Sequence, residues 1–146
     1  MPSALENVQW PKTPEVATEI KNVLAEFYRL ADLKDPDAGI PMSEHVFTHD
    51  ALIVMPVITF NGKEEIAGAR KHVWDTVTFR RHTVKAAHIG DLAGRDILLT
   101  GTVETHPRDG NVTIQEFASR AVFDEDKDGK LRIKTYRVWG GKFVSP

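Results

Sequence analysis

The chain has 146 residues, 41% hydrophobic and 27% charged, with 19 Lys and Arg against 21 Asp and Glu for a net charge of −2. A single domain of this size buries about 70% of its extended surface, and the near-neutral charge excludes the basic excess of a nucleic-acid-binding module. With no cysteine a disulfide scaffold, a thiolate zinc site and a cysteine nucleophile are excluded; no apolar run reaches the ~18 residues of a membrane span, so a cytoplasmic single domain without a membrane or nucleic-acid partner is expected.

Residues 1–12 form a polar, proline-containing arm that carries Trp10, and residues 13–146 form the domain proper. Thr13-Pro14-Glu15 has the composition of a helix start: an N-cap, a proline at the first helical position and an acid in the first turn. Val16, Ile20, Val23, Leu24, Phe27 and Leu30 then recur at helical spacing on one face, and Pro36 ends the helix near Asp35. Ser43 caps a short turn over Glu44–Thr48. Ala51–Met55 is strand-like and stops at Pro56, Val57–Phe60 is a second short strand, and Asn61-Gly62 is a turn. Lys63 to about Val77 predicts a second long helix, with Ile66, Ala69, Val73, Trp74 and Val77 on one side.

The remainder predicts four long antiparallel strands: Phe79–His88, Asp96–His106, Asn111–Phe123 and Leu131–Trp139. Asp91–Arg95, Pro107–Gly110 and the charged segment through Asp128-Gly129 connect them. Helices first and long strands afterwards imply an α+β fold, with helices packed on the concave face of a curved sheet.

This order, with Met55-Pro56, Asn61-Gly62, Arg80-Arg81-His82 and Asp128-Gly129-Lys130-Leu131 at its junctions, resembles the NTF2-like, or SnoaL-like, cone over residues 13–140. Length and tone are similar to the small fungal members of secondary-metabolite pathways. The resemblance implies relatives among ketosteroid isomerases, scytalone dehydratases, polyketide cyclases, epoxide hydrolases and non-catalytic binders, so the site must decide the function. The position of the isomerases' general-base aspartate holds Met55, and that of their acid aspartate holds Ser119. The arginine of the epoxide hydrolases falls at Thr100 or Thr102 and their last-strand aspartate at Tyr136. The scytalone dehydratases match better. Asp35 falls on their helix-end aspartate and His82 on their third-strand histidine, whereas Lys34 replaces their tyrosine and His106 matches their second histidine loosely.

Strand alternation splits each strand into two sets. Anchoring on these relatives puts Thr102 and Glu104, Phe117 and Ser119, and Tyr136 and Val138 inside the cone. The helices add Tyr28, Asp32, Val73 and Val77, with Trp74 and Val54 as wall. His82 and Glu104 are then the candidate acid–base pair, since an imidazole titrates near neutral pH and a carboxylate in an apolar cone is pushed up. Tyr28 and Tyr136 are candidates for polarising a substrate oxygen, and Asp32 or Asp35 for orienting His82. Two further patterns are turned down. Asp124–Gly129 copies the first half of a calcium loop, but its twelfth position is Thr135, not glutamate. His45 and His49 have zinc spacing without a third ligand.

The expectation is therefore a cofactor-independent isomerase, dehydratase or cyclase acting by proton transfer on a hydrophobic polycyclic ketone or enol of polyketide or terpenoid type, without metal. Its rival is a binding protein of the same fold. A homodimer is expected through the opposite sheet face, taken as Leu99, Val103, Ile114, Ala118, Val122, Ile133 and Trp139.

Overall fold

A computed structural model describes residues 2–144. The first long helix, α1 (Thr18–Asp32), is followed by a single turn α2 (Gly39–Pro41), a π-helical turn (Met42–Val46), β1 (Phe47–Val54) and β2 (Thr59–Asn61). Two short helices, α3 (Gly62–Ala67) and α4 (Val73–Thr76), precede the long strands β3 (Val77–Ile89), β4 (Asp96–Pro107), β5 (Thr113–Glu125) and β6 (Leu131–Val144). The six strands form one sheet in the order β2-β1-β6-β5-β4-β3. All neighbours are antiparallel except β1 and β6, which run parallel. This is the curved α+β sheet that the element order predicts.

The apolar stripe of α1 places Ile20, Leu24, Phe27 and Leu30 against the sheet, each nearly or fully buried. Burying each such side chain is worth about 1.5–3 kcal/mol. Phe27 packs on Tyr136 (ring centroids 4.6 Å apart) and edge-on against Phe47 (5.5 Å), tying α1 to β6 and β1 through aromatic contacts. The sheet contributes Ile97, Leu99, Val103, Phe117, Ala121 and Ile133 to the same core.

Several boundaries differ from the sequence expectation, three of them with a local cause. The helix begins at Thr18, not Thr13: Ala17 is extended, and its carbonyl accepts the first helical hydrogen bonds from Ile20 and Lys21. The helix predicted from Lys63 to Val77 is broken. After Ala67 the chain tightens into turns, with Gly68 N–H donating to Glu65 O and Ala69 N–H to Ile66 O, and only Val73–Thr76 resumes helical form. Finally, β1 starts at Phe47, so the turn expected over Glu44–Thr48 ends at Val46.

The N-terminal arm lies along the free edge of β3. Ala4 O accepts from Val84 N–H, Gln9 N–H donates to Lys85 O and Gln9 O accepts from Ala87 N–H. An exposed strand edge is thereby partly covered, and Trp10 sits beneath the Lys21 ammonium, 4.8 Å from the ring centroid.

Candidate active site

The last residue of α1 and the middle of β3 meet at one point. Asp32 closes the helix, and its two carboxylate oxygens engage a single residue: Oδ2 accepts the backbone N–H of His82 at 2.8 Å and Oδ1 lies 2.6 Å from His82 Nδ1. A carboxylate only accepts, so Nδ1 carries the proton and Nε2 is left as the basic nitrogen. Among the described residues Nε2 has no protein partner. Both side chains are largely buried, 13% exposed for His82 and 15% for Asp32. Burial pushes the His82 pKa below its ordinary value; the hydrogen bond and charge of Asp32 oppose that shift, while Arg80 and Arg70 add to it. The imidazole is therefore neutral at pH 7.

His82 lies in the wall of a cavity of ≈150 Å³. Phe27, Ile53, Met55, Phe60, Phe117 and Val138 supply apolar surface, and Pro56 and Gly140 are exposed residues of its rim. The Phe117 ring stands edge-on to the His82 ring at 5.5 Å. Tyr136 reaches the cavity from β6. Its hydroxyl is 3.0 Å from that of Tyr28, which in turn is 3.1 Å from Ser119 Oγ. Burial raises both phenols, Tyr28 well above its ordinary value, so both stay protonated and able to donate. On its other side the His82–Asp32 pair borders a wider cleft of ≈670 Å³ between the N-terminal residues, α1 and β3.

Arg70 and Arg80 complete the cavity, and neither figures among the expected site residues. Arg80 is two residues from His82 on the same face of β3, where it pairs in register with Thr105 as His82 does with Val103. Arg70 enters through the break between α3 and α4 and donates from a terminal nitrogen to Ala31 O, at the end of α1, at 2.5 Å. A signal existed for both. Arg70 sits between Ile66 and Trp74 within the apolar stripe at helical spacing, and Arg80 shares the alternation of His82.

The other expected residues divide sharply. Phe117, Tyr136 and Val138 line the cavity with His82; Ser119 and Tyr28 lie behind it, and Asp32 backs the histidine. Glu104 does not join them. Register pairs Val103 with Gln115, Gly101 with Phe117 and Leu99 with Ser119, so the face of β4 that looks inward is the apolar set Leu99, Gly101 and Val103. Glu104 and Thr102 point to the outer face, where Glu104 is 37% exposed and pairs with His106 Nε2 at 2.5 Å. Asp35 is not in the cavity either. The helix ends at Asp32, and Asp35 Oδ1 accepts the Asp37 N–H within the following turn. Val54 faces an outer groove with Ile58 and Trp139, Val73 is not in the cavity wall, and Trp74 borders the wider cleft.

The acidic turn is occupied by its own side chains. Asp126 and Asp128 accept from Arg132, and Asp126 Oδ1 lies 3.0 Å from His49 Nδ1. Among the described residues no three His, Cys, Asp or Glu side chains gather as a metal site, and no helix is long and apolar enough to cross a membrane.

A cone of this topology with its cavity under α1 defines the NTF2-like, or ketosteroid isomerase-like, fold, and solved structures agree. A hexachlorocyclohexane dehydrochlorinase, LinA type 2, superposes with a TM-score of 0.69 over 86% of this chain and 85% of its own, at 14% identity. A protein of ketosteroid isomerase-like fold from Catenulispora acidiphila, solved with trimethylamine, gives 0.66 at 13% identity over 82% and 85%. A protein from Agrobacterium tumefaciens assigned to the SnoaL-like family gives 0.64 at 12% identity over 86% and 100%. No protein-family model and no curated protein sequence matches the chain.

Proposed function

We propose that the protein is a cofactor-independent enzyme that removes a carbon-bound proton from a small hydrophobic molecule, starting an isomerisation, elimination or cyclisation. The observation that carries this reading is the 2.6 Å contact between His82 Nδ1 and Asp32 Oδ1 at the cavity wall. It fixes the tautomer that leaves Nε2 free to accept a proton, and it stabilises the imidazolium once formed. Tyr136, kept protonated by burial and part of the cavity wall, is the candidate donor to an oxygen on which charge develops. A cavity of ≈150 Å³ is of the size that holds one aromatic ring, which favours a one-ring ketone or enol over the polycyclic substrate expected from sequence. The structural neighbour LinA, a hexachlorocyclohexane dehydrochlorinase, supports elimination as chemistry this fold accommodates. Incubating the protein with one-ring ketones and acids in D₂O and following loss of C–H signals by NMR tests the reading. His82-dependent exchange is expected. Ligands that bind in the cavity without any exchange or turnover would leave the rival, a binding protein.

The outer face supports a second proposal, self-association of two copies. Leu98 and Trp139 are 40% and 42% exposed, and Ile114, Ala118 and Val122 share their side of the sheet. Of the patch expected from sequence, Leu99, Val103 and Ile133 face the core instead. Arg120 is held by Asp96 of its own chain through two hydrogen bonds.

A further inference from the structure

We propose that Arg70 and Arg80 form an anion subsite and that the substrate is a one-ring carboxylic acid, its carboxylate held by the two guanidinium groups and its ring in the apolar part of the cavity. This deepens the reading of His82 as a base by naming the class of molecule brought to it.

Both arginines are half-buried in the cavity wall, and the Nε atoms of both are buried without a hydrogen-bond partner. Among the described residues neither arginine has a carboxylate within salt-bridge distance. The one acid near them, Asp32, spends both oxygens on His82. A buried arginine is ordinarily paired, because a desolvated charge without a counter-ion is unfavourable. Here two cations stand against one carboxylate, and the imidazole is neutral, so the cavity carries one positive charge in excess. Burial first, then the neighbouring Arg80, lowers Arg70 to about 10 against the opposing charge of Asp32, and burial lowers Arg80.

A single excess charge matches a monoanion. Guanidinium groups bind carboxylates through paired N–H donors; with both Nε atoms buried, the terminal nitrogens of the two arginines in the cavity wall are the donors for such an anion. Apart from His82, Gln115 and the Tyr136 hydroxyl, the rest of the wall is hydrocarbon and aromatic, an unfavourable setting for a heavily hydrated polyanion. An acid anchored by Arg80 is also held beside His82, two residues along the same strand face. The positive field that receives the carboxylate would then also stabilise the charge that develops when a neighbouring carbon loses its proton.

The test uses the full chain with benzoate and benzamide, which share shape but differ in charge, titrated calorimetrically at pH 7.5. Benzoate is expected to bind at least about tenfold more tightly, the margin of one good charge-assisted contact. Arg80→Gln and Arg70→Gln are each expected to bring the two probes to near parity, while Arg80→Lys retains part of the preference. Because Arg70 also holds the end of α1, the wild-type comparison and the Arg80 pair decide the matter if Arg70→Gln fails to fold. Equal affinity for the two probes, no binding of benzoate, or a preference that survives Arg80→Gln would overturn the proposal. Benzoate has no removable proton beside its carboxylate, so this outcome is independent of proton transfer. A benzoate preference with no exchange on any substrate would retain the anion subsite and reject the base.

Discussion

His82 is a base only while its ring is neutral and its proton sits on Nδ1, and both conditions come from its neighbours. Burial lowers its pKa beneath the ordinary 6.5, and Asp32 partly restores it. The sign follows directly. kcat/KM is expected to be flat at neutral pH and to fall as pH drops below about 6.5, where the free enzyme's imidazole begins to gain a proton. Asp32→Asn removes the group that raises the pKa and also the acceptor that selects the tautomer. It should therefore move this acid limb to lower pH while reducing kcat by roughly 10²–10⁴-fold. His82→Ala should reduce exchange by at least about 10²-fold with little change in melting temperature; an active, stable His82→Ala protein would end its assignment. Stability carries the same sign. A histidine whose pKa is lowered in the folded state contributes fully above about 6.5 and loses that contribution as pH falls toward the folded value.

At the level of elements, two contacts hold the sheet in the register that builds the site. Gly101 lies so close to β3 that a Cβ there would meet Thr83 O at 2.1 Å. Gly101→Ala must displace a backbone, and a loss of about 1–3 kcal/mol in denaturant unfolding is expected. Asp126 links β1 to the β5–β6 turn through His49 and Arg132, and these hydrogen bonds outweigh its burial to bring its carboxyl down to about 2. A carboxyl lowered in the folded state stabilises above about 3.8 and loses that effect as pH falls toward 2. Asp126→Ala should accordingly cost about 1.5–3 kcal/mol at pH 7 and little below pH 2, because Arg132, only 8% exposed, loses an acceptor. These elements also mark what the sequence reveals. The stripe of α1 is explicit in residue spacing, since one element alone determines it. The inward face of β4 depends on its partner's register. The apolar set Ile97, Leu99 and Val103 lies inside because burial of hydrocarbon outweighs the polar lining that a catalytic comparison suggests for Thr102 and Glu104. Asp35 fails for a related reason. The helix stops three residues earlier, and Asp32, not Asp35, comes opposite β3.

For the whole molecule, the order of helices and long strands was readable because hairpins of this length leave few antiparallel arrangements. The parallel pairing of β1 with β6 joins segments some eighty residues apart, and no local pattern encodes it. The cone it closes turns an ordinary charge balance into a local imbalance: a chain of net charge −2 holds two unpaired arginines at the cavity. If two copies meet through the outer face, sedimentation at micromolar concentration should give a mass of about 33 kDa, twice the 16.4 kDa chain; a monomer would reject that face as an interface. A base at this position requires the bare Nε2 of His82, and ¹⁵N NMR of the histidine rings examines it without any substrate. The expected spectrum at pH 7 shows His82 neutral, protonated on Nδ1 and titrating below about 6.5. A His82 ring that is protonated on Nε2, or already cationic at pH 7, could not serve as the base.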